Sequence, residues 1–599
     1  MEKPRNIHIA VVAMAALGAS AATVDAQPVY APPPAPPPVV MAPPAPRIMV
    51  APPAPPPAPI NPADPTLFKA CDGYGAPNEN GDGMTEMANG FLGLFVPEPA
   101  SGNTSLATPV FTSRGIAACD AALANATRLL PIYHLRRANL LRARAIHKLS
   151  GGDTPGARAD LDAADVEGAL AKEPLYDRSM GLGSRFLRAY LALQAGRKDE
   201  VLTLVQQAQA MRPYVYRVQQ TGSVLALVAS RDGAAYYATL DRQAALYPEV
   251  RRSLMRIAAD RMDWDKVITI RQMIDLTPPA PKQGGFLVQN YDWVVAGLFV
   301  DRIGLDELTA FALAASGKNA EAKALMAEIA QRLEPLNADL PKTAEGFQPP
   351  RLERYIHANL RPLLPRFKQG LEKTQTLIDQ LAIARSGNQE AFQAAIKANP
   401  LPSDGRGLFL LRSLRDATTG PKAELDAQIA AGRNGLDTLA QTTKINLAAL
   451  YGAMPAAETP ARLPKYKTER NFLGEYPGNG FEIKQDGPVT KVNFGGVKAP
   501  EAVLEELALL KAAEITLAAG HDRFALLDKR ITGRTMTQTG IYGGWTLPEG
   551  YVADLRIVPF DEGAPVKGYE AYAAKAVIAR EVIAALGPVY QIDAAAPKP

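Results

Sequence analysis

Few residues in this chain could do chemistry, and their spacing narrows the options. The cysteines are Cys71 and Cys119, in "KACDGYG" and "AACDAAL", and the histidines are His8, His134, His147, His357 and His521. No HExxH pair offers two imidazoles to zinc, no GxSxG elbow presents a nucleophilic serine, and no P-loop lysine motif cradles a phosphate. An even cysteine count suits a disulfide in an oxidising compartment. It would close a loop of about 48 residues, worth about 4 kcal/mol by chain entropy. Two free thiols are the alternative; two cysteines alone make no metal site. "NENGDG" (78–83) alternates Asn78, Asn80 and Asp82 before Gly83, like a calcium loop. Its twelfth residue is Asn89, which cannot supply the bidentate carboxylate, so a polar glycine-rich loop is the reading. The expectation is a non-enzyme with no catalytic residues, no metal and no cofactor.

Compartment is written at the N-terminus. Lys3 and Arg5 precede an apolar run from Ile9 to Ala22, followed by the small-residue site Val24-Asp25-Ala26. That is the three-part form of a secretory signal peptide over 1–26, cleaved between Ala26 and Gln27. The run is shorter than the roughly 18–20 residues that span a bilayer, and no later stretch is long and apolar enough. An exported chain without a transmembrane segment in its mature form is expected, in the periplasm or cell envelope.

Residues 27–66 alternate proline with alanine and valine. Proline fixes φ and removes amide donors, which leaves polyproline II as the favourable state. Fully extended, the segment would reach roughly 115 Å. It reads as a stiff spacer or as a disordered tail without a partner. The net charge of +4 on 599 residues argues against a nucleic-acid partner. The 47% hydrophobic content is ordinary for a globular protein.

After a cysteine-containing cap (67–130), residues 131–335 repeat one pattern. A helix-like run ends at a Gly or polar turn, a second run follows, and the unit often closes on Pro. Pro174, Pro213, Pro248 and Pro278 lie 39, 35 and 30 residues apart, spacings that suit a repeat of paired helices. Such a pair cannot bury its apolar face alone and must stack on neighbours. Small residues mark the expected helix contacts: Ala143, Ala157 and Ala164; Ala189, Val201 and Ala208; Ala310, Ala322 and Ile329. Gly151, Gly196 and Gly317 sit at the turns, and Trp264 follows one. The units resemble tetratricopeptide repeats. The resemblance implies a solenoid whose first helices line a concave groove carrying Arg137, Arg144, His147, Lys148, Phe186, Tyr190, Arg252 and Arg256. Cations and aromatics there would suit an extended, partly acidic peptide or an anionic polymer; the bland reading is solvated faces and rim aromatics.

An irregular helical extension (336–463), including the degenerate pair "LEKTQTLIDQLAIARSGNQEAFQAAIKANP", leads to a Pro-rich boundary at Met454–Pro464. The period then changes. "GFEIKQDGPVTKVNFGG" reads as a hairpin turning at Asp486-Gly487. Residues 501–519 read as an amphipathic helix with Val503, Leu507, Leu510 and Leu517 on one side. "RFALLDKR" and the stretch around Leu555 and Ile557 read as strands, and Tyr569 to Leu586 as a last helix stopping at Gly587-Pro588. Residues 464–590 are thus a small α+β domain, followed by a tail (591–599). Glu514 is the carboxylate expected on the inward side of the 501–519 helix, either a ligand contact or a structural acid. The run from Lys491 to Pro588 resembles a small domain of proteobacterial envelope lipoproteins, without their lipid-attachment cysteine. The fold class is mostly α, a TPR-like α-solenoid plus a small α+β domain. The functional expectation is an envelope scaffold binding a protein or peptide partner. A cell-wall or surface polysaccharide binder is the alternative.

Overall fold

The computed structural model describes residues 66–77, 87–89, 95–97, 113–277, 291–337, 351–436, 441–447, short pieces between 450 and 468, and 480–590 apart from 497–498 and 541–542. The signal peptide, nearly all of the Pro-rich spacer, the 78–83 loop, Pro278 and the 591–599 tail lie outside the described residues. The protein is mostly helical, with a five-stranded antiparallel sheet near its C-terminus. The chain divides into two compact units.

The first unit runs up to Lys172, apart from 85–100, and takes in 447–452. Its helices are α1 (Thr66–Asp72), α2 (Ser113–Ala124), α3 (His134–Ser150) and α4 (Thr154–Ala171). The disulfide forms: Cys71 and Cys119 join α1 to α2 with their Cα atoms 4.7 Å apart. Arg136, wholly buried, donates to Asp72 Oδ1 at 2.9 Å and to the Tyr74 carbonyl at 3.2 Å, between the Phe68 and Tyr74 rings. Asn139 donates to the other Asp72 oxygen at 2.8 Å. A buried charge is tolerable only when so paired.

The second unit begins at Glu173 and includes 85–100, where β1 (Met87–Asn89) pairs with β2 (Phe95–Pro97). Its helices come in consecutive pairs: α5 (Met180–Gln194) with α6 (Lys198–Met211), α7 (Tyr216–Ser230) with α8 (Gly233–Gln243), α9 (Pro248–Asp260) with α10 (Trp264–Gln272), and α11 (Tyr291–Ala315) with α12 (Asn319–Leu333). Then come α13 (Arg351–Leu360), α14 (Leu364–Arg385), α15 (Gln389–Ala398), α16 (Gly405–Ala417) and α17 (Ala423–Leu436). The nine small-contact positions named from the repeat pattern are all buried, at 2% exposure or less. Small side chains there let helix backbones approach closely. The turns inside the pairs have a common cause. Gly196 and Gly317 adopt left-handed φ of +70° and +81°, and the next amide returns to a carbonyl five residues back (Arg197 to Ala192, 2.9 Å; Lys318 to Leu313, 2.8 Å). This is the glycine-terminated helix end that satisfies otherwise orphaned carbonyls. Aspartates open the next helices: Asp232 and Asp263 accept from the Ala235 and Lys266 amides.

The sheet runs β3-β4-β6-β5-β7, all antiparallel, from β3 (Gly480–Asp486), β4 (Val489–Gly496), β5 (Arg523–Gly540), β6 (Gly543–Phe560) and β7 (Val577–Ile578). Two helices accompany it, α18 (Glu501–Ala518) and α19 (Ala579–Tyr590). The β3–β4 turn is Gly487-Pro488, one residue beyond the expected Asp486-Gly487, and Asp486 pairs with Val489 instead. The helix expected over Tyr569–Leu586 is also corrected. Residues 570–575 form a 3-10 turn, Val577 and Ile578 join the sheet edge beside β5, and α19 continues through Pro588 to Tyr590. Pro588 has no amide to return to the Ala584 carbonyl, so this last turn continues without that bond.

Candidate functional site

The functional geometry of the second unit lies where its helix pairs meet the α+β elements. "RFALLD" does not alternate in burial: Phe524, Ala525, Leu526 and Leu527 are all buried. Phe524 and Leu526 pack with Val492, Phe494, Leu555 and Ile557 beneath α18 and α19. Ala525, Leu527, Val558 and Phe560 face the other way, into the core containing Met255, Met273, Ile274 and Leu276 of the helix pairs. A sheet covered on both faces reads as a continuous apolar run. The same explains α18, which is buried nearly all round and has no single apolar stripe.

Successive turns between helix pairs supply the polar half of this seam. Arg178 precedes α5, Arg212 caps α6, Tyr247 to Arg251 open α9, and Met273 to Asp275 follow α10. Arg212, wholly buried, donates to Glu506 Oε2 at 2.7 Å and also grips Glu458 from the Pro-rich boundary. Arg178 donates to the same Glu506 oxygen at 2.6 Å, and the Tyr590 hydroxyl at 2.5 Å. Burial alone would raise the Glu506 carboxyl; Arg212 and Arg178 outweigh it and hold it below its ordinary value. Next along the edge, Lys529 of β5 pairs with Glu505 and, at 3.5 Å, with Glu249, and lies 4.5 Å from the Tyr247 ring centre. Burial pushes the Glu249 carboxyl up to about 6 against the pull of Lys529. Glu505 also accepts the Tyr216 amide at 3.0 Å.

Arg251 is the third buried cation, and it meets no carboxylate. Its guanidinium donates to four carbonyls: Ala244 (3.0 Å), Met273 (3.0 Å), Leu527 (3.0 Å) and Leu526 (2.6 Å). It thereby satisfies part of the β5 edge beyond Phe524, which no strand among the described residues covers. The Tyr572 ring lies 5.2 Å from its Cζ, and the Tyr572 hydroxyl donates to Met273. Arg556 pairs with Asp275, and Lys575 with Asp241 at 2.9 Å. The helix pairs and the α+β elements are therefore one body held by buried cations, not two knobs on a linker.

The residues expected along a groove are distributed differently. His147 is buried, its Nε2 2.9 Å from the Cys71 carbonyl, and burial lowers its pKa. Phe186 is wholly buried. Both are corrections: neither side chain presents a surface to a partner, because each fills the space between helices. Arg144 bridges Asp160 and Asp120 at 2.6 and 2.7 Å, Lys148 reaches Asp160 at 2.9 Å, and Arg137 donates to the Leu129 carbonyl at 2.8 Å. Tyr190 is half-buried, which raises its pKa. Arg252 pairs with Asp301 at 2.7 Å, and Arg256 is exposed. Trp264 lies between Phe311 and Phe409, 5.2 and 5.3 Å away, as core. Glu514 pairs with Lys511 at 2.9 Å, and the deeply buried acids of its helix are Glu505 and Glu506.

The residues sequence reading missed share a visible mark. Arg212, Tyr216, Tyr247 and Arg251 stand within three residues of Pro213 or Pro248, the prolines that punctuate the helix pairs. Clustering of Arg and Tyr around that punctuation is the signal that would have found them. Among the described residues, no group of three or more His, Cys, Asp or Glu could hold a metal ion, and no helix is long and apolar enough to cross a membrane. What fold and seam define is a class: a protein of paired helices with an integral α+β element. No family model, curated protein or solved structure matches the chain.

Proposed function

We propose that this chain is a non-enzymatic scaffold of the cell envelope that binds a protein or peptide partner on a TPR-like array of helix pairs. The observation that carries the reading is the seam. Turns of successive pairs already grip a folded element through Arg178, Arg212 and Arg251. An array built to hold protein in cis has the chemistry to hold it in trans: donors of fixed geometry, aromatic rings and close-packed small residues behind them. Export by a cleaved signal peptide, and a solenoid form for the array, belong to the same proposal. The disulfide supports the exported address.

Arg252 and Arg256 are the cations of the proposed groove that remain at the surface of the second unit. A photo-crosslinking residue at Arg256 of the mature chain should capture one protein from envelope extracts, and Arg252→Glu with Arg256→Glu should abolish capture. Failure to capture anything, with no effect of the reversal, rejects the reading. The polysaccharide alternative has less support, because both faces of the sheet are occupied within the chain.

A further inference from the structure

Three arginines on successive helices gather beside one buried acid. Asp306 of α11 is 4% exposed and holds two of them. Arg271 of α10 reaches its Oδ1 through Nε at 2.7 Å and Nη2 at 2.6 Å, and Arg332 of α12 reaches its Oδ2 through Nη1 at 2.8 Å. Both carboxylate oxygens are thereby engaged. Arg302 stands one helical turn before Asp306, on the same side of α11. It is half-buried, and among the described residues its side chain makes no hydrogen bond or ion pair. Glu328, the other acid of the cluster, pairs with Arg332. Three cations against two carboxylates leave one positive charge over. Burial, and then the charges of Arg332 and Arg271, hold the Arg302 guanidinium below its ordinary pKa against the pull of Asp306 and Glu328. Like charges so placed call for an anion.

The donors left over define which anion. Arg302 offers its whole guanidinium, Arg271 keeps Nη1, and Arg332 keeps Nε. Donors arriving from three helices need an acceptor with three oxygens pointing in different directions. A carboxylate has only two; a tetrahedral oxyanion has enough. The guanidinium fork matches phosphate oxygens in particular, and a phosphate monoester brings about −1.5 to −2 charges at neutral pH. We infer that Arg271, Arg302 and Arg332 form a binding site for a phosphate group, free or as a monoester. Asp306 fixes Arg271 and Arg332 in advance, so little ordering remains to be done on binding. Their side chains are 19% and 21% exposed, open to a ligand yet partly desolvated, which limits screening by salt.

Calorimetric titration of residues 27–599 tests it, at about 0.15 M sodium chloride so that diffuse attraction beyond about 8 Å is screened. The probes are inorganic phosphate, glycerol 3-phosphate, and phosphatidylcholine vesicles with and without phosphatidic acid; acetate is the carboxylate control. The expected result is one phosphate group bound per chain, with acetate much weaker. Arg302→Gln should weaken binding at least about tenfold, since a charged hydrogen-bonding partner is lost. Arg302→Lys should fall between, because an ammonium keeps the charge but not the fork. Phosphate should also raise the melting temperature of the unaltered chain and leave that of Arg302→Gln unmoved. Arg302 grips nothing within the described chain, so the variant should fold, and circular dichroism checks this. Binding of the two soluble probes points to a free metabolite, and binding of the phosphatidic acid vesicles alone to a lipid head group; either supports the site if Arg302→Gln removes it. No binding of any phosphate probe overturns the inference, as does acetate binding equally well or an affinity that Arg302→Gln leaves unchanged.

Discussion

Replacing Arg212 by Met should loosen the second unit more than any surface change, and the size follows from its surroundings. Arg212 and Glu506 are wholly buried, and Glu458 nearly so. Without the guanidinium, Glu506 keeps Arg178 and the Tyr590 hydroxyl. Glu458 loses its cation, with its other oxygen already lacking a hydrogen bond. Breaking a buried pair from one side costs about 3–5 kcal/mol, because the surviving charge stays desolvated. Urea unfolding of residues 27–599 measures that loss, and proteolysis near 453–464 should accelerate in step. Acid adds a signed test. Glu506 is held below its ordinary pKa, so its contribution is present above the unfolded value and is lost as pH falls through the folded one. Arg212→Met removes the main depressing charge and should move acid unfolding to higher pH. Arg212→Met combined with Glu506→Met should fall short of additivity by about 1–3 kcal/mol. A loss below about 1 kcal/mol, the range of exposed pairs, with additive singles, would refute the claim that this seam holds the unit together.

Three further outcomes are expected. Arg251→Lys should destabilise the unit by about 2–3 kcal/mol in urea, since an ammonium cannot span four carbonyls and orphaned buried acceptors are costly; equal midpoints would contradict this. Burial raises Glu307 to about 7 against the pull of Arg406. Its protonated form favours the folded state, so that contribution is full below the unfolded pKa and fades as pH rises through about 7. Glu307→Gln should flatten this part of the pH–stability curve, and thermal melts from pH 5 to 8 check it. Reducing Cys71–Cys119 should lower stability by about 4 kcal/mol by chain entropy, read as a drop in the melting temperature of the first unit; an unchanged melt would show that its core suffices alone.

Much of the fold was legible because it is local. Helix pairs announce themselves through small residues at contact positions, glycines at left-handed turns and aspartate caps, all consequences of backbone geometry within a few residues. The cysteine pairing followed from an even count and the expectation of an oxidising compartment. The strands "RFALLDKR" and around Leu555 were visible too, though not why the first is apolar on both faces. Residues 569–586 went astray because docking competes with propensity there: Tyr572 turns to Arg251, and Val577 closes the sheet edge.

Two adjacent pairs of arginines mark where sequence stops deciding. At Arg136-Arg137 and at Arg251-Arg252, periodicity says only that one arginine of each pair can turn inward. Sequence reading placed Arg137 and Arg252 among the groove cations, from the resemblance to tetratricopeptide repeats. The structure buries Arg136 and Arg251 instead. Carboxylates, carbonyls and aromatic rings from distant parts of the chain, at Asp72, Leu526 and Tyr572, make burial of a guanidinium tolerable. Composition and local spacing set which helices form and where they turn. Which charges lie inside them depends on partners that only tertiary packing brings within hydrogen-bonding distance.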